Sequence, residues 1–200
     1  MNQKRCIVCC LIAKLYYSIL WRRYKFDYWH ASASWYCRPY KKQVVELASS
    51  VSPEAVMEIG CGLGDIISRI KAQKRFAFDI DAHVIDAAKK LRSDIIFENV
   101  SLFDTQKLID IVDPTQQVDL LLMVNWPHNV SFDDIFSCVN KIKLNLGLRY
   151  LIIDEIKQGN IGFKYNHSSE FLLKLGTITR TVEAVDGFRL LHLIDISNNL

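Results

Sequence analysis

The sequence predicts an α/β protein: a doubly wound sheet of seven strands, mostly parallel, ended by an antiparallel C-terminal hairpin. Three observations predict it. From residue 54 onward, apolar runs of strand length alternate with stretches of helical period, the pattern of a parallel sheet covered on both faces. A glycine triplet, Gly60-Cys61-Gly62-Leu63-Gly64, interrupts the first strand–helix junction. Near the end, two β-rich runs are joined by Asp186-Gly187, a strong two-residue hairpin signal.

The chain has 200 residues, 50% apolar and 24% charged, which suits one folded domain and excludes disorder, collagen and coiled coil. Its net charge of +3 is unevenly spread. Residues 1–45 hold nine Lys/Arg and one acid, Asp27, for +8, together with ten of the 22 aromatic residues. Residues 46–200 carry −5. The expected division is a basic, aromatic helical segment or lid (1–45) ahead of the main domain (46–200). Six cysteines at positions 6, 9, 10, 37, 61 and 138 show no framework and read as reduced thiols of a cytoplasmic protein. The Cys6-Ile7-Val8-Cys9-Cys10 cluster finds no matching Cys or His pair downstream, so no metal site is expected.

The apolar run from Cys6 to Trp21 is broken by Lys14, too short and interrupted to cross a bilayer, and Trp21-Arg22-Arg23-Tyr24-Lys25 stands where a signal peptide would be cleaved. Read as a helix, it sets Lys14, Ser18, Arg22 and Lys25 opposite Val8, Leu11, Leu15 and Ile19. The expectation is packing of that apolar face on the body. The alternative is peripheral contact of residues 4–25 with the inner face of an anionic membrane. Strands are then expected at 55–60, 75–80, 95–98, 118–125 and 150–154. Helices are expected between them at 65–71, 83–91, 105–111 and 132–144. A last helix near 168–175 and strands at 178–185 and 188–196 complete the chain.

The triplet follows a strand at the sheet's carboxyl end, where doubly wound folds bind nucleotides. Nineteen residues beyond Gly60, Asp79 ends the second strand, at the distance of a carboxylate that takes ribose hydroxyls. The sixth fingerprint position, where a dinucleotide motif wants glycine, is Asp65, whose charge opposes a pyrophosphate but not a cationic ligand.

At this point Glu58-Ile59-Gly60-Cys61-Gly62-Leu63-Gly64 resembles the first motif of the class I, Rossmann-like S-adenosylmethionine (SAM)-dependent methyltransferases. Phe78-Asp79-Ile80-Asp81 resembles their second-strand motif, and the hairpin resembles their reversed seventh strand. The resemblance covers about residues 40–200. It implies SAM as cofactor, S-adenosylhomocysteine as product, and a cofactor site at Glu58, Gly60, Cys61, Gly62, Gly64, Asp79, Ile80, Leu102 and Trp126. The adenine contact falls on Ser101 by register or on Asp104 by chemistry. Before the first motif, Tyr36 and Tyr40 would shield the sulfonium and Arg38 would pair with the methionine carboxylate.

The fourth strand ends in Asn125-Trp126-Pro127-His128, the end that faces the transferred methyl in this family. His128 suits a general base for a hydroxyl acceptor. Asn125 to His128 also loosely fits the loop with which amino-group methyltransferases grip an NH2. Glu155 and His167, in the polar stretch after the fifth strand, are further candidates. The acceptor expected is a small molecule or glycan sugar, and the acidic body disfavours duplex DNA. The alternatives are an amine or nucleobase N-methyltransferase, the basic leader gripping RNA phosphates, and a SAM-binding protein without catalysis.

Overall fold

A computed structural model describes residues 7–157 and 162–197. Residues 4–6 of the leader, Cys6 among them, and Gly159 of the loop after the fifth strand lie outside the described residues.

The seven strands are β1 (Ala55–Ile59), β2 (Lys74–Asp79), β3 (Ile96–Asn99), β4 (Leu120–Met123), β5 (Tyr150–Ile156), β6 (Thr177–Glu183) and β7 (Arg189–Asp195). They form one sheet in the order β3-β2-β1-β4-β5-β7-β6. The first five run parallel, and β7 pairs antiparallel with both β5 and β6. This is the predicted architecture. Strand alternation splits the interior in two: Leu120 and Leu122 face one core, Leu121 and Met123 the other. The first core is covered by α3 (Tyr40–Ser49) and α4 (Ala82–Leu91), the second by α5 (Thr105–Val112) and α6 (Phe132–Leu146). Caps set the helix ends. The Asp81 carboxylate accepts from the amides of His83 and Val84, Ser131 from that of Asp134, and Gly147 closes α6 in the left-handed region.

Two expected helices differ. Residues 65–71 form only a 3-10 turn, Ile67–Arg69, and the last helix shortens to α7 (Ser169–Leu172). Ile66, Ile67 and Ile70 are all buried, and Ile70 is already extended. Three stiff β-branched residues pulled into the core from one short stretch do not leave the exposed face a helix needs. The Ile67 amide donates sideways to the Glu58 carboxylate (3.1 Å) instead of along a helix.

The N-terminal segment forms α1 (Ile7–Tyr24) and a short α2 (Tyr28–Ser32). Here two expectations are corrected. α1 packs through Ala13, Tyr17 and Leu20, whereas Val8, Leu11, Leu15 and Ile19 are exposed. Large apolar residues surround most of α1, so local pattern does not choose its rotation. The Tyr17 hydroxyl does: it donates to the buried Asp65 carboxylate at 2.7 Å. The cysteines are not all reduced either. A disulfide joins Cys10 to Cys37 (Cα–Cα 5.1 Å), tying α1 to the segment before α3. Tyr17, Leu20, Phe26 and Ala31 share one core with Val56 and Ile66, so the leader is built into the domain.

Candidate active site

The order of strands reverses between β1 and its neighbours β2 and β4, and there the carboxyl ends open a cleft of about 840 Å³. Glu58 to Leu63, Asp79 to Asp81, Val100 to Phe103 and Val124 to Trp126 line it, with Trp29, His30, Tyr40 and Lys41 from the leader.

The Gly60 and Cys61 amides both donate to the Phe78 carbonyl, which turns the loop back over the end of β2. Gly60 has φ +74° and Gly62 φ +53°, conformations that a Cβ would strain. A Cβ at Gly60 would collide with the Trp126 indole, and one at Gly62 would meet the His30 ring at 3.0 Å. The loop's glycines are thus required by packing within the protein. Trp126 is held by a hydrogen bond from its indole N–H to the Ile59 carbonyl, so it covers Gly60 where the resemblance puts the methionine moiety.

Asp79, 5% exposed, closes the cleft at the end of β2. Its Oδ2 accepts from the Gly62 amide (2.8 Å) and its Oδ1 from the Asp81 amide (3.0 Å). Each carboxylate oxygen keeps a further acceptor position. Ile80 and Phe103, 76% and 71% exposed, stand on the walls as apolar surfaces. Ser101 lines the cleft with Leu102, while Asp104 sits at the start of α5 without lining it, so the geometry favours Ser101 of the two.

Glu58 is 5% exposed at the edge of the cleft, and burial pushes its pKa up to about 8, so the fold favours its protonated form. Asp65 lies in the opposite situation. Burial alone would raise its pKa, but Lys41 (3.1 Å), the Tyr17 hydroxyl and Arg69 hold it below the usual range, with Arg92 3.3 Å away. Its charge is therefore compensated by the protein and serves to anchor α1, which removes it from the choice between ligands that the sequence suggested.

Asn125, at φ +79° just past β4, lines the cleft. Its amide donates to Asp154 Oδ1 (2.8 Å), and its side-chain oxygen accepts from Arg189 (3.1 Å). Arg189, 1% exposed, also donates to Asp154 (2.8 Å) and Asp186 (2.7 Å), and stacks on the Tyr40 ring at 4.1 Å. Burial pushes Asp154 up, but His128, Arg189 and the Asn125 amide hold its pKa below the usual range. Sequence reasoning missed Arg189, whose signal was a lone cation in the apolar run Phe188-Arg189-Leu190-Leu191.

His128 requires a correction. Its ring has no exposed surface and does not line the cleft. Nε2 lies 3.2 Å from Asp154 Oδ1, poorly aligned, Nδ1 has no partner among the described residues, and the ring packs on Phe163 and His167. Pro127 and His128 are drawn under the loop because the His128 carbonyl accepts from the amides of Lys164 and Tyr165. Glu155 and His167 also stay out of the cleft: Glu155 accepts from Ser169 and His192, and His167 donates to the Pro127 carbonyl. Arg38 stacks at 4.8 Å on Trp29 of the cleft wall without lining the cleft itself, and Tyr36 is exposed outside it. Tyr40 alone of those three lines the cleft, its hydroxyl pushed up to about 12 by burial.

The strand order, the reversed β7 and the glycine loop after β1 define the fold of the class I SAM-dependent methyltransferases. The bacterial Hen1 methyltransferase domain (CtHen1-CN) superposes with a TM-score of 0.57 at 12% identity, over 78% of this chain and 96% of that one. Magnesium protoporphyrin IX methyltransferase from Synechocystis PCC 6803, solved with bound SAH, gives 0.58 at 16%, over 78% and 81%. Human N-acetylserotonin methyltransferase in complex with SAM gives 0.58 at 14%, over 80% of this chain and 52% of that one. At these identities the likeness is one of fold. No family model and no curated protein sequence matches the chain.

Proposed function

We propose that this chain transfers the methyl group of SAM to a hydroxyl oxygen of a small molecule or glycan sugar. The observation that carries the reading is the buried Asp79 carboxylate at the cleft end of β2, with one free acceptor position on each oxygen for a ribose diol. Ile80, Ser101, Leu102 and Phe103 would wall the adenine. Asp27, Asp79 and Asp81 give the cleft an acidic lining suited to a cation, and two of the structural neighbours were solved with SAM or its product.

Bound there, SAM supplies an electrophilic methyl on a sulfonium. The chain's own task is to align the acceptor and exclude water. Asn125 supports oxygen over nitrogen. A guanidinium only donates, so the Asn125 side-chain oxygen must face Arg189, and its NH2 is the group left to meet an acceptor. That NH2 can donate to a hydroxyl oxygen, whereas gripping an amine would fall to the one acceptor position that Arg189 leaves on the side-chain oxygen. The test is calorimetry. SAM should bind and NAD should not, and Asp79→Asn should weaken SAM by roughly 1.5–3 kcal/mol, about ten- to a hundredfold. A folded Asp79→Asn variant with wild-type SAM affinity, or tighter NAD than SAM binding, sinks the reading.

A further inference from the structure

Helix α1 carries an apolar face that no described residue covers. Val8, Leu11, Ile12, Leu15 and Ile19 are 56% to 68% exposed. At 100° per residue they fall within an arc of about 100°, on the side away from the buried Ala13, Tyr17 and Leu20. The helix cannot simply roll them inward, because the Tyr17–Asp65 hydrogen bond and the Cys10–Cys37 disulfide fix its rotation. Five aliphatic side chains on consecutive turns are a patch, not scattered surface residues.

We propose that this face of α1 docks on an anionic lipid surface. Charge chooses the occupant. Residues 7–26 contain Lys14, Arg22, Arg23 and Lys25 and no acid. On the helical projection Lys14 borders the aliphatic arc on one side and Arg23 on the other, with Arg22 at its C-terminal end. All four cations are exposed, and no described carboxylate forms an ion pair with any of them. Tyr16, half-exposed beside Arg23, adds a ring of the kind that sits at the headgroup level. An aliphatic strip rimmed by unpaired cations fits an interface with an acyl boundary below and negative headgroups beside it. No described helix is long and apolar enough to cross a membrane, so α1 would lie in the plane of the surface. A second copy fits less well, because symmetric pairing of two such faces sets two groups of four cations together without an acid between them.

The chain continues from this helix to the cleft: α2 follows α1 within four residues, and Trp29 and His30 line the opening together with Asp27.

The test is co-sedimentation of the full chain with phosphatidylcholine vesicles, with or without about one-third phosphatidylglycerol. Binding is expected only to the anionic vesicles at about 0.1 M salt, with release at about 1 M, where the screening length falls from about 10 Å to 3 Å. Leu11→Glu/Leu15→Glu, at exposed positions, should melt like wild type and bind at least about tenfold more weakly. Lys14→Glu/Arg22→Glu keeps the aliphatic strip and should lose binding similarly. Absence of wild-type sedimentation at low salt overturns the proposal, as does undiminished binding by either double variant. A wild-type solution mass twice that of Leu11→Glu/Leu15→Glu would assign the face to a second copy and overturn it as well.

Discussion

Glu58 and Asp65 are both buried at the same loop, yet the fold treats their charges in opposite ways. Asp65 is ringed by Lys41, Arg69 and Arg92, so its ionised form is the stable one, whereas among the described residues Glu58 has only the Ile67 amide within hydrogen-bond distance. A carboxyl whose folded pKa is raised binds its proton more tightly when folded. Glu58 therefore favours folding fully below its unfolded value near 4.5, and that contribution is lost as pH rises towards about 8. Across that window stability should fall by on the order of 1 kcal/mol per pH unit. His167 and His192, whose pKa values burial lowers, act the other way below pH 6.5, so the raw curve mixes them. Subtracting Glu58→Gln isolates the effect. Urea midpoints of wild type minus variant should fall steadily from pH 5 to pH 8, and a flat difference would show that Glu58 ionises freely in the fold. Asp65 carries the reverse sign, stabilising above pH 3.8 and failing as pH drops through its depressed value.

At the scale of elements, the far end of the cleft is a junction of three strand ends. Asn125 follows β4, Asp154 lies in β5 and Arg189 opens β7, and one hydrogen-bonded cluster holds them together. His128 supports that cluster from beneath through Asp154. His128→Ala should therefore act first on stability, costing about 2–4 kcal/mol for the buried cavity, while Asn125→Ala, which takes one partner from Arg189 at a positive-φ position, should cost about 1–2 kcal/mol and lower methyl transfer by more than that loss explains. Melting and turnover measured on both variants separate the roles. A His128→Ala variant of wild-type stability that has lost turnover more than a hundredfold would restore it as the general base. The sequence made the strands and most helices legible because unbroken apolar runs of strand length and stretches of helical period are local signals, as Ala55–Ile59 and Leu120–Met123 show. It made Asp79 and the glycine loop legible because spacing along the chain places them at adjacent strand ends. It did not reveal the 3-10 turn after β1, the exposed face of α1, or the burial of His128. Each of those is decided by a distant partner: the core around Ile67, Asp65 for Tyr17, and the Lys164 and Tyr165 amides for the His128 carbonyl.

For the whole molecule, the question is whether the basic leader is a hinged lid or part of one cooperative unit. Five observations favour the unit. Tyr17 and Leu20 belong to the same core as Val56 and Leu120, and Tyr17 donates to Asp65 directly behind the glycine loop. The Asp27 amide donates to Asp81 at the start of α4, and Lys41 bridges the Ala33 carbonyl and Asp65. The Cys10–Cys37 disulfide then closes a loop of 27 residues of sequence separation around α2. A cross-link of that span typically restricts the unfolded chain enough to contribute about 2–4 kcal/mol. Cys37→Ser should therefore lower the stability of the entire domain by that amount, in a single transition, and reductant should bring wild type down to the variant while leaving the variant unchanged. If the leader were an independent lid, the loss would appear only in a separate early transition, with the melting of the sheet untouched. Near-ultraviolet signal from the leader's aromatics and far-ultraviolet signal from the sheet, followed in one thermal scan, decide between these outcomes. Coincident curves that shift together on reduction are expected, because unfolding α1 alone would leave Asp65 without its Tyr17 partner and open the core beneath it.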